Sequence, residues 1–298
     1  MRNIPSCGHA IIATSIQTPT ERNLSEHSDW LHVERRDAPL LLSIPHAGVE
    51  LPAQFADALI SAWLARRDAD WWVDRLYDFA AGLGASIVRT SISRTVIDVN
   101  RDPSGASLYP GQATTELCPT TTFDGEPLYR ANAVPDGESI GQRREAYYEP
   151  YHAALASELQ RLKARHPLVV LYDCHSIRSR IPRLFAGELP HFNLGTYDDA
   201  SCAPVLTAAV ERVCDRTAFS RVTNGRFKGG YITRHYGDPA RGVHALQMEL
   251  ACRGYMREPH GLVEPKSWPP HYDEKEAASL RQTLERILAA CLEFARTA

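Results

Sequence analysis

A chain of 298 residues is long enough to bury one large α/β core or two small ones. With 44% hydrophobic residues, 23% charged residues and a formal net charge of −3, it has ordinary globular composition and lacks the basic excess that would point to nucleic acid or an anionic membrane surface. No apolar run approaches the roughly 20 residues of a membrane span, and the segment around Ile11 and Ile12 is too short and mixed for a signal peptide.

The cysteines, Cys7, Cys118, Cys174, Cys202, Cys214, Cys252 and Cys291, are odd in number and form no C-x-x-C pair. That usage fits reduced thiols and a cytoplasmic location. Residues 1–27 are polar and aperiodic and read as an extension with little regular structure. A single α/β domain is expected over residues 28–298.

Leu31-His32-Val33 reads as an edge strand, followed by Leu40 to Ile44, an apolar run suited to a strand buried on both faces. Pro45 ends that ladder, His46 follows, and Gly48 lets the backbone turn. Gln54 to Arg66 reads as a helix. A second helix is expected from Trp71 to Ala81, with Asp68 or Asp70 as N-cap. Ser86–Arg89 and Thr95–Val99 read as strands. Residues 101–138, rich in Pro, Gly and Thr, read as an ordered loop over a site. Ser139 is expected to cap a long helix reaching about Arg165.

Leu168 to Ser176 repeats the design of the first buried strand, an apolar run ending in a histidine, His175. Leu184–Ala186 and Phe192–Thr196 read as strands, Ala203–Arg216 as a helix, and 226–237 as a glycine-rich basic segment. His244–Leu250 is a strand carrying Glu249, and Glu274–Ala295 closes the chain as a helix. Strands alternating with helices and no visible linker predict a single-domain α/β fold with a central mixed, mostly parallel sheet flanked by helices.

Histidines at the carboxyl ends of two buried strands would meet in one crevice if those strands are parallel neighbours. His46 and His175 are therefore candidate ligands of a zinc ion, or of another divalent metal, with a carboxylate as third ligand. Asp70 is preferred for that place over Asp74 and Glu50. Cys174, next to His175 in an alternating strand, should point away into the core. Glu249 stands in an apolar run, where a carboxylate is either salt-bridged or tuned as a general base. Arg94, Asn100, Arg101, Arg234 and His235 are candidate anion binders, and Gly230 would let backbone N–H groups approach a ligand.

The motifs S-I-P-H-A-G (43–48), D-x-x-x-D-R-L-Y (70–77), S-R-T-V-I-D-V-N-R-D-P (93–103), D-C-H-S (173–176), R-F-K-G-G-Y-I-T-R-H-Y-G (226–237) and A-L-Q-M-E-L (245–250) together resemble the N-formylglutamate amidohydrolase family. The likeness runs from about Trp30 to the C-terminal helix. It implies a fold like that of zinc carboxypeptidases and aspartoacylase, a phosphorylase/hydrolase-like sheet. It also implies His46 and His175 as metal ligands, an acidic residue at 70–74 as the third, and Glu249 as the base. The expected reaction is metal-dependent hydrolysis of N-formyl-L-glutamate to formate and L-glutamate, a step of histidine degradation. Its substrate is a small molecule with two carboxylates. Competing expectations are a deacylase of another acidic N-acylamino acid and a non-catalytic binding protein on the same fold. Neither a nucleic acid nor a membrane is expected as partner, and the sequence leaves the oligomeric state open.

Overall fold

The computed structural model describes residues 29–108, 111, 113–259 and 261–297, together with Met1. The extension expected over residues 1–27 therefore lies, Met1 apart, outside the described residues. The described strands are β1 (Leu31–Glu34), β2 (Leu40–Ile44), β3 (Ser86–Thr90), β4 (Val169–Ile177), β5 (Phe192–Gly195), β6 (Arg221–Thr223) and β7 (Val243–Ala251). They form one sheet in the order β1-β3-β2-β4-β7-β5-β6. β2 pairs in parallel with both β3 and β4, β4 with β7, and β5 with β6; β1–β3 and β5–β7 are antiparallel. The expected single-domain α/β fold with a mixed, mostly parallel sheet is what the chain adopts.

The apolar runs of β2 and β4 are buried along their whole length because both faces of the sheet are covered. The side-chain period of 2 sorts them onto two cores. Leu40, Leu42, Ile44, Tyr172, Cys174, Met248 and Leu250 pack on one face with Leu280, Leu284, Ile287 and Leu288 of the C-terminal helix. Leu41, Leu171 and Ala245 pack on the other with Tyr151, Leu155, Leu159 and Leu162. Each such aliphatic side chain, removed from water, contributes about 1.5–3 kcal/mol. Cys174 lies on the first face, away from His175, and burial pushes its thiol far up.

The helices are α1 (Ala53–Ala56), α2 (Leu64–Arg67), α3 (Val73–Leu76), α4 (Gly137–Arg143), α5 (Glu149–Lys163), α6 (Pro204–Cys214), α7 (Tyr231–Tyr236) and α8 (Glu274–Arg296) among the described residues. None of them is long and apolar enough to cross a membrane.

Several local expectations fail, each for a visible reason. The helix expected over Gln54–Arg66 is split into α1 and α2, because the backbone of Ala58 and Ile60 is claimed by residues 128–130 (Ile60 N to Leu128 O 2.9 Å, Arg130 N to Ala58 O 2.9 Å). The helix expected over Trp71–Ala81 shrinks to α3 and a 3₁₀ turn, Asp78–Leu83. Trp72 is left-handed (φ 66°) there, and Asp70 N–H is committed to His46 O at 2.9 Å. Asp70 is not a helix cap; its carboxylate is turned to β4. Thr95–Val99 forms turns rather than a strand, although Val96, Ile97 and Val99 are buried. The apolar pattern there records burial without ladder pairing, and Arg94 and Arg101 bracket a loop. Leu184–Ala186 is a turn built on Ile181 O, not a strand. The long helix begins at Gly137, capped by Asp136, which accepts from Ser139 N–H at 2.9 Å, and it carries a π turn at Arg144–Tyr148. β6 and α7 had no expected counterpart.

Order in the sheet matters for function. The chain passes from β2 to β3 on one side and then returns to place β4 on the other side of β2. The carboxyl ends of β2 and β4 thus flank a topological switch point, where open α/β sheets hold their ligands. Beyond His46, the chain presses so close to the residues that follow β3 that a Cβ on Gly48 would lie 2.4 Å from Ser91 C and 2.5 Å from Ile92 O. Gly48→Ala should therefore cost about 1–3 kcal/mol through forced backbone displacement, read as a lowered Tm in thermal denaturation.

Candidate active site and metal centre

His46 leaves the end of β2, and His175 projects from β4 onto the face opposite Cys174. Their ring centroids are 4.8 Å apart. Between them lies Asp70, carried by the loop before α3. Its Oδ2 is 3.1 Å from His175 Nδ1 and 3.8 Å from His46 Nδ1, and it also accepts from Ser176 N–H at 3.1 Å. The three side chains are almost wholly buried.

The outer nitrogens of both rings face carboxylates. His46 Nε2 donates to Asp98 Oδ1 at 2.7 Å, and His175 Nε2 lies 2.9 Å from both Asp173 Oδ2 and Asn100 Nδ2. Each carboxylate is itself oriented. Asp98 Oδ1 accepts from Asn100 N–H, its Oδ2 accepts from Arg94 at 2.6 Å, and Asp173 Oδ2 accepts from Asn100 Nδ2 at 3.2 Å. With the outer nitrogens turned to these carboxylates, both Nδ1 atoms face Asp70, the arrangement by which outer carboxylates orient metal-binding imidazoles.

His46, Asp70 and His175 form a group whose ligand atoms lie within 4.8 Å of one another. His46 Nδ1 and Asp70 Oδ1 are buried with no hydrogen-bond partner, an arrangement rarely tolerated unless another atom completes it. Two imidazole nitrogens and a carboxylate are a donor set that suits zinc, which binds such ligands at about 2.0–2.2 Å. The residues fit a divalent cation on chemistry as well as on position.

The two rings differ in their electrostatics. Burial works against a charged ring at His175, but Asp173 and Asp70 outweigh it and hold the imidazole well above its usual range. Burial and Arg94 keep His46 low. Burial would raise Asp98 too, yet Arg101, His46 and Arg94 hold it well below the ordinary carboxylate range. Positive charge is thus stabilised at His175, between Asp70 and Asp173, and disfavoured at His46.

Glu249 sits on β7 directly opposite His175 in the parallel register. Its burial raises the carboxyl to about 7. Gln247, two residues earlier on the same face, donates to Glu249 Oε2 at 2.9 Å. A carboxylate so placed can gain and lose a proton near neutrality.

A pocket opens over the group, and its wall includes His46, His175, Glu249, Arg94, Asn100, Arg101, Arg226, Gln247 and Gly230. Thr114, Thr115 and Phe123 line it too, so the loop expected over the site does cover it. Arg94 lies 4.9 Å from the Phe123 ring centroid and 3.6 Å from Asp70 Oδ1. Arg101 holds Thr115 O and Oγ1, and Arg226 holds the Leu184 and Ala113 carbonyls.

Of the residues singled out from sequence, His46, His175, Glu249, Arg94, Asn100, Arg101 and Gly230 meet at this pocket, and Asp70 joins the histidines beneath it. Asp74 and Glu50 are outside the metal-competent group; Glu50 pairs through its backbone with Ile92. Arg234 instead holds Gly229 O and Leu108 O and lies over the Tyr197 ring, and His235 stacks on Tyr231. Neither lines the pocket. Asp98, Asp173, Gln247 and Arg226 were missed as individual residues. A usable signal existed, since Asp98, Asp173 and Gln247 are polar groups inside apolar runs, where each needs a partner.

A family model described as N-formylglutamate amidohydrolase matches residues 38–256. An N-formylglutamate deformylase of Pseudomonas putida is 47% identical over 252 residues, covering 84% of this chain and 92% of that protein. One from Pseudomonas aeruginosa is 46% identical over 260 residues, covering 87% and 96%. The crystal structure of an N-formylglutamate amidohydrolase from Ralstonia eutropha JMP134 superimposes with a TM-score of 0.74 at 24% identity, over 90% of this chain and 98% of that one, a likeness of fold. A family match that takes in most of the chain, and relatives this similar over nearly their whole length, establish that the chain belongs to the N-formylglutamate amidohydrolase family.

Proposed function

We propose that this protein hydrolyses N-formyl-L-glutamate to formate and L-glutamate, using a zinc ion, or another divalent metal, held by His46, Asp70 and His175. The observation that carries the reading is the convergence of two carboxylate-backed imidazoles on Asp70, beside a buried glutamate raised toward neutrality. The names of the Pseudomonas relatives supply the substrate. A divalent cation held there would polarise the formyl oxygen and acidify water.

The rest falls to the chain's own side chains. Glu249 takes a proton from water as its oxygen attacks the formyl carbon. The same carboxyl then protonates the amine nitrogen as the C–N bond breaks, so base and acid are one group used twice. Arg94, anchored by Asp98, adds positive charge near the developing oxyanion. The two carboxylates of the substrate fall to Arg101 and Arg226, with guanidinium geometry suited to bidentate pairing. Arg226 takes the part first considered for Arg234, because it lines the pocket. A cytoplasmic setting is supported by the six described cysteines, all free and buried.

Glu249→Gln should lower kcat by about 10²–10⁴-fold, while metal analysis finds the protein's metal content unchanged; full activity in that variant refutes the base assignment. Because the ionised form of Glu249 is required and a bound cation would pull its carboxyl below the value of about 7 that burial alone gives it, kcat/KM of the metal-loaded enzyme should fall along an acid limb that lies below that pH. That limb should vanish from the residual activity of Glu249→Gln. Arg101→Gln and Arg226→Gln should each raise KM about tenfold or more with a smaller change in kcat, as loss of uniform substrate binding requires. Assaying formyl-, acetyl- and succinyl-glutamate side by side tests the acyl preference, and faster turnover of either longer acyl group would replace the formyl assignment.

A further inference from the structure

We infer that Gln247 is a positioning residue that fixes the Glu249 carboxylate and ties it to the backbone at the start of α7; this rests on the reading of Glu249 as the base. Gln247 is 4% exposed and shares a face of β7 with Glu249. Its Nε2 donates to Glu249 Oε2 at 2.9 Å, and its Oε1 accepts from Gly230 N–H at 2.7 Å. The amide has only one workable orientation. A backbone N–H can only donate, so oxygen must face Gly230 and the NH₂ must face the carboxylate.

A second amide spans the same gap. Asn100 Oδ1 accepts from Ile232 N–H at 2.8 Å, while its Nδ2 donates to Asp173 Oδ2 at 3.2 Å, the carboxylate behind His175. Each amide therefore holds a main-chain N–H of 230–232 at one end and a carboxylate of the site at the other. The join is tight, since a Cβ on Gly230 would lie 2.5 Å from Asn100 Nδ2.

With Oε2 engaged by Gln247, Oε1 is the oxygen that receives and returns the proton. The donor stays bound through the cycle, so the carboxylate does not rotate between its two proton transfers. Side chains that act by holding a reacting group in place influence kcat before KM.

Two replacements separate the ends of the amide. Gln247→Glu keeps an acceptor for Gly230 N–H but replaces the neutral donor toward Glu249 with a carboxyl that donates only while protonated; Gln247→Met removes both. Purified variants would be assayed for kcat, KM and metal content, alone and combined with Glu249→Gln. Expected are a loss of kcat of about tenfold or more in both single variants, KM within about threefold of the parent, and unchanged metal. Combined with Glu249→Gln, neither replacement should reduce kcat further, because Gln247 acts through the glutamate. Parent-like kcat in Gln247→Met, or a further loss in either double variant, overturns the positioning role. Parent-like kcat in Glu249→Gln is a different result and removes the base reading itself.

Discussion

A carboxylate sealed from water must be compensated on the spot, and Asp70 sets that requirement for the whole site. It lies almost fully buried between two imidazoles, with one oxygen left without a hydrogen-bond partner. Backbone placement meets the demand. Asp70 N–H is held by His46 O, and Oδ2 is held by Ser176 N–H, so the residue is pinned to both histidine-bearing segments at once. The loop that carries it is anchored in turn by the C-terminal segment, where Tyr255 donates to Trp71 O and Trp268 Nε1 to Arg67 O, each at 2.8 Å. A loop of such irregular backbone stays put because its neighbours leave it no alternative.

Around that centre the charges are layered. Asp98 and Asp173 stand behind the two rings, Arg94 and Arg101 stand beside Asp98, and Glu249 faces the pocket. Each buried charge has a partner of opposite sign or a hydrogen bond, and burial without such pairing would cost several kcal/mol per ion. Phe123 covers Arg94, while its own loop is held down by Asp68, which accepts from Phe123 N–H at 2.6 Å, and by Arg178 bound to Asp124 at 2.7 Å. The pocket wall is therefore built from long-range ties rather than from the regular elements alone.

Much of this was legible in the chain. The runs 40–44 and 168–176 read as buried strands ending in histidines that would meet if the strands were parallel neighbours, which they are, and the apolar surroundings of Glu249 marked it for attention. What escaped was information carried by tertiary partners. Nothing local distinguishes an aspartate that caps a helix from one that turns back to a strand, so Asp70 was ambiguous until Ser176 and His175 were seen against it. Thr95–Val99 has the composition of a strand, yet its backbone bonds go to Leu117 and Ser93 and its apolar side chains are buried all the same. Arg234 and Arg226 are equivalent by composition and eight positions apart; only the path of the glycine-rich turn brings Arg226 to the pocket.

The alternation along β4 leaves no tolerance in its length. His175 and Cys174 occupy opposite faces, one above the metal-competent group and the other in the core against α8. Deleting one residue upstream within that strand would exchange them. A thiol would then look into the cleft, and an imidazole would be driven in among leucines. The molecule would keep its outline and lose its donor set, so length variation in this family should be confined to the connecting loops and absent from this strand.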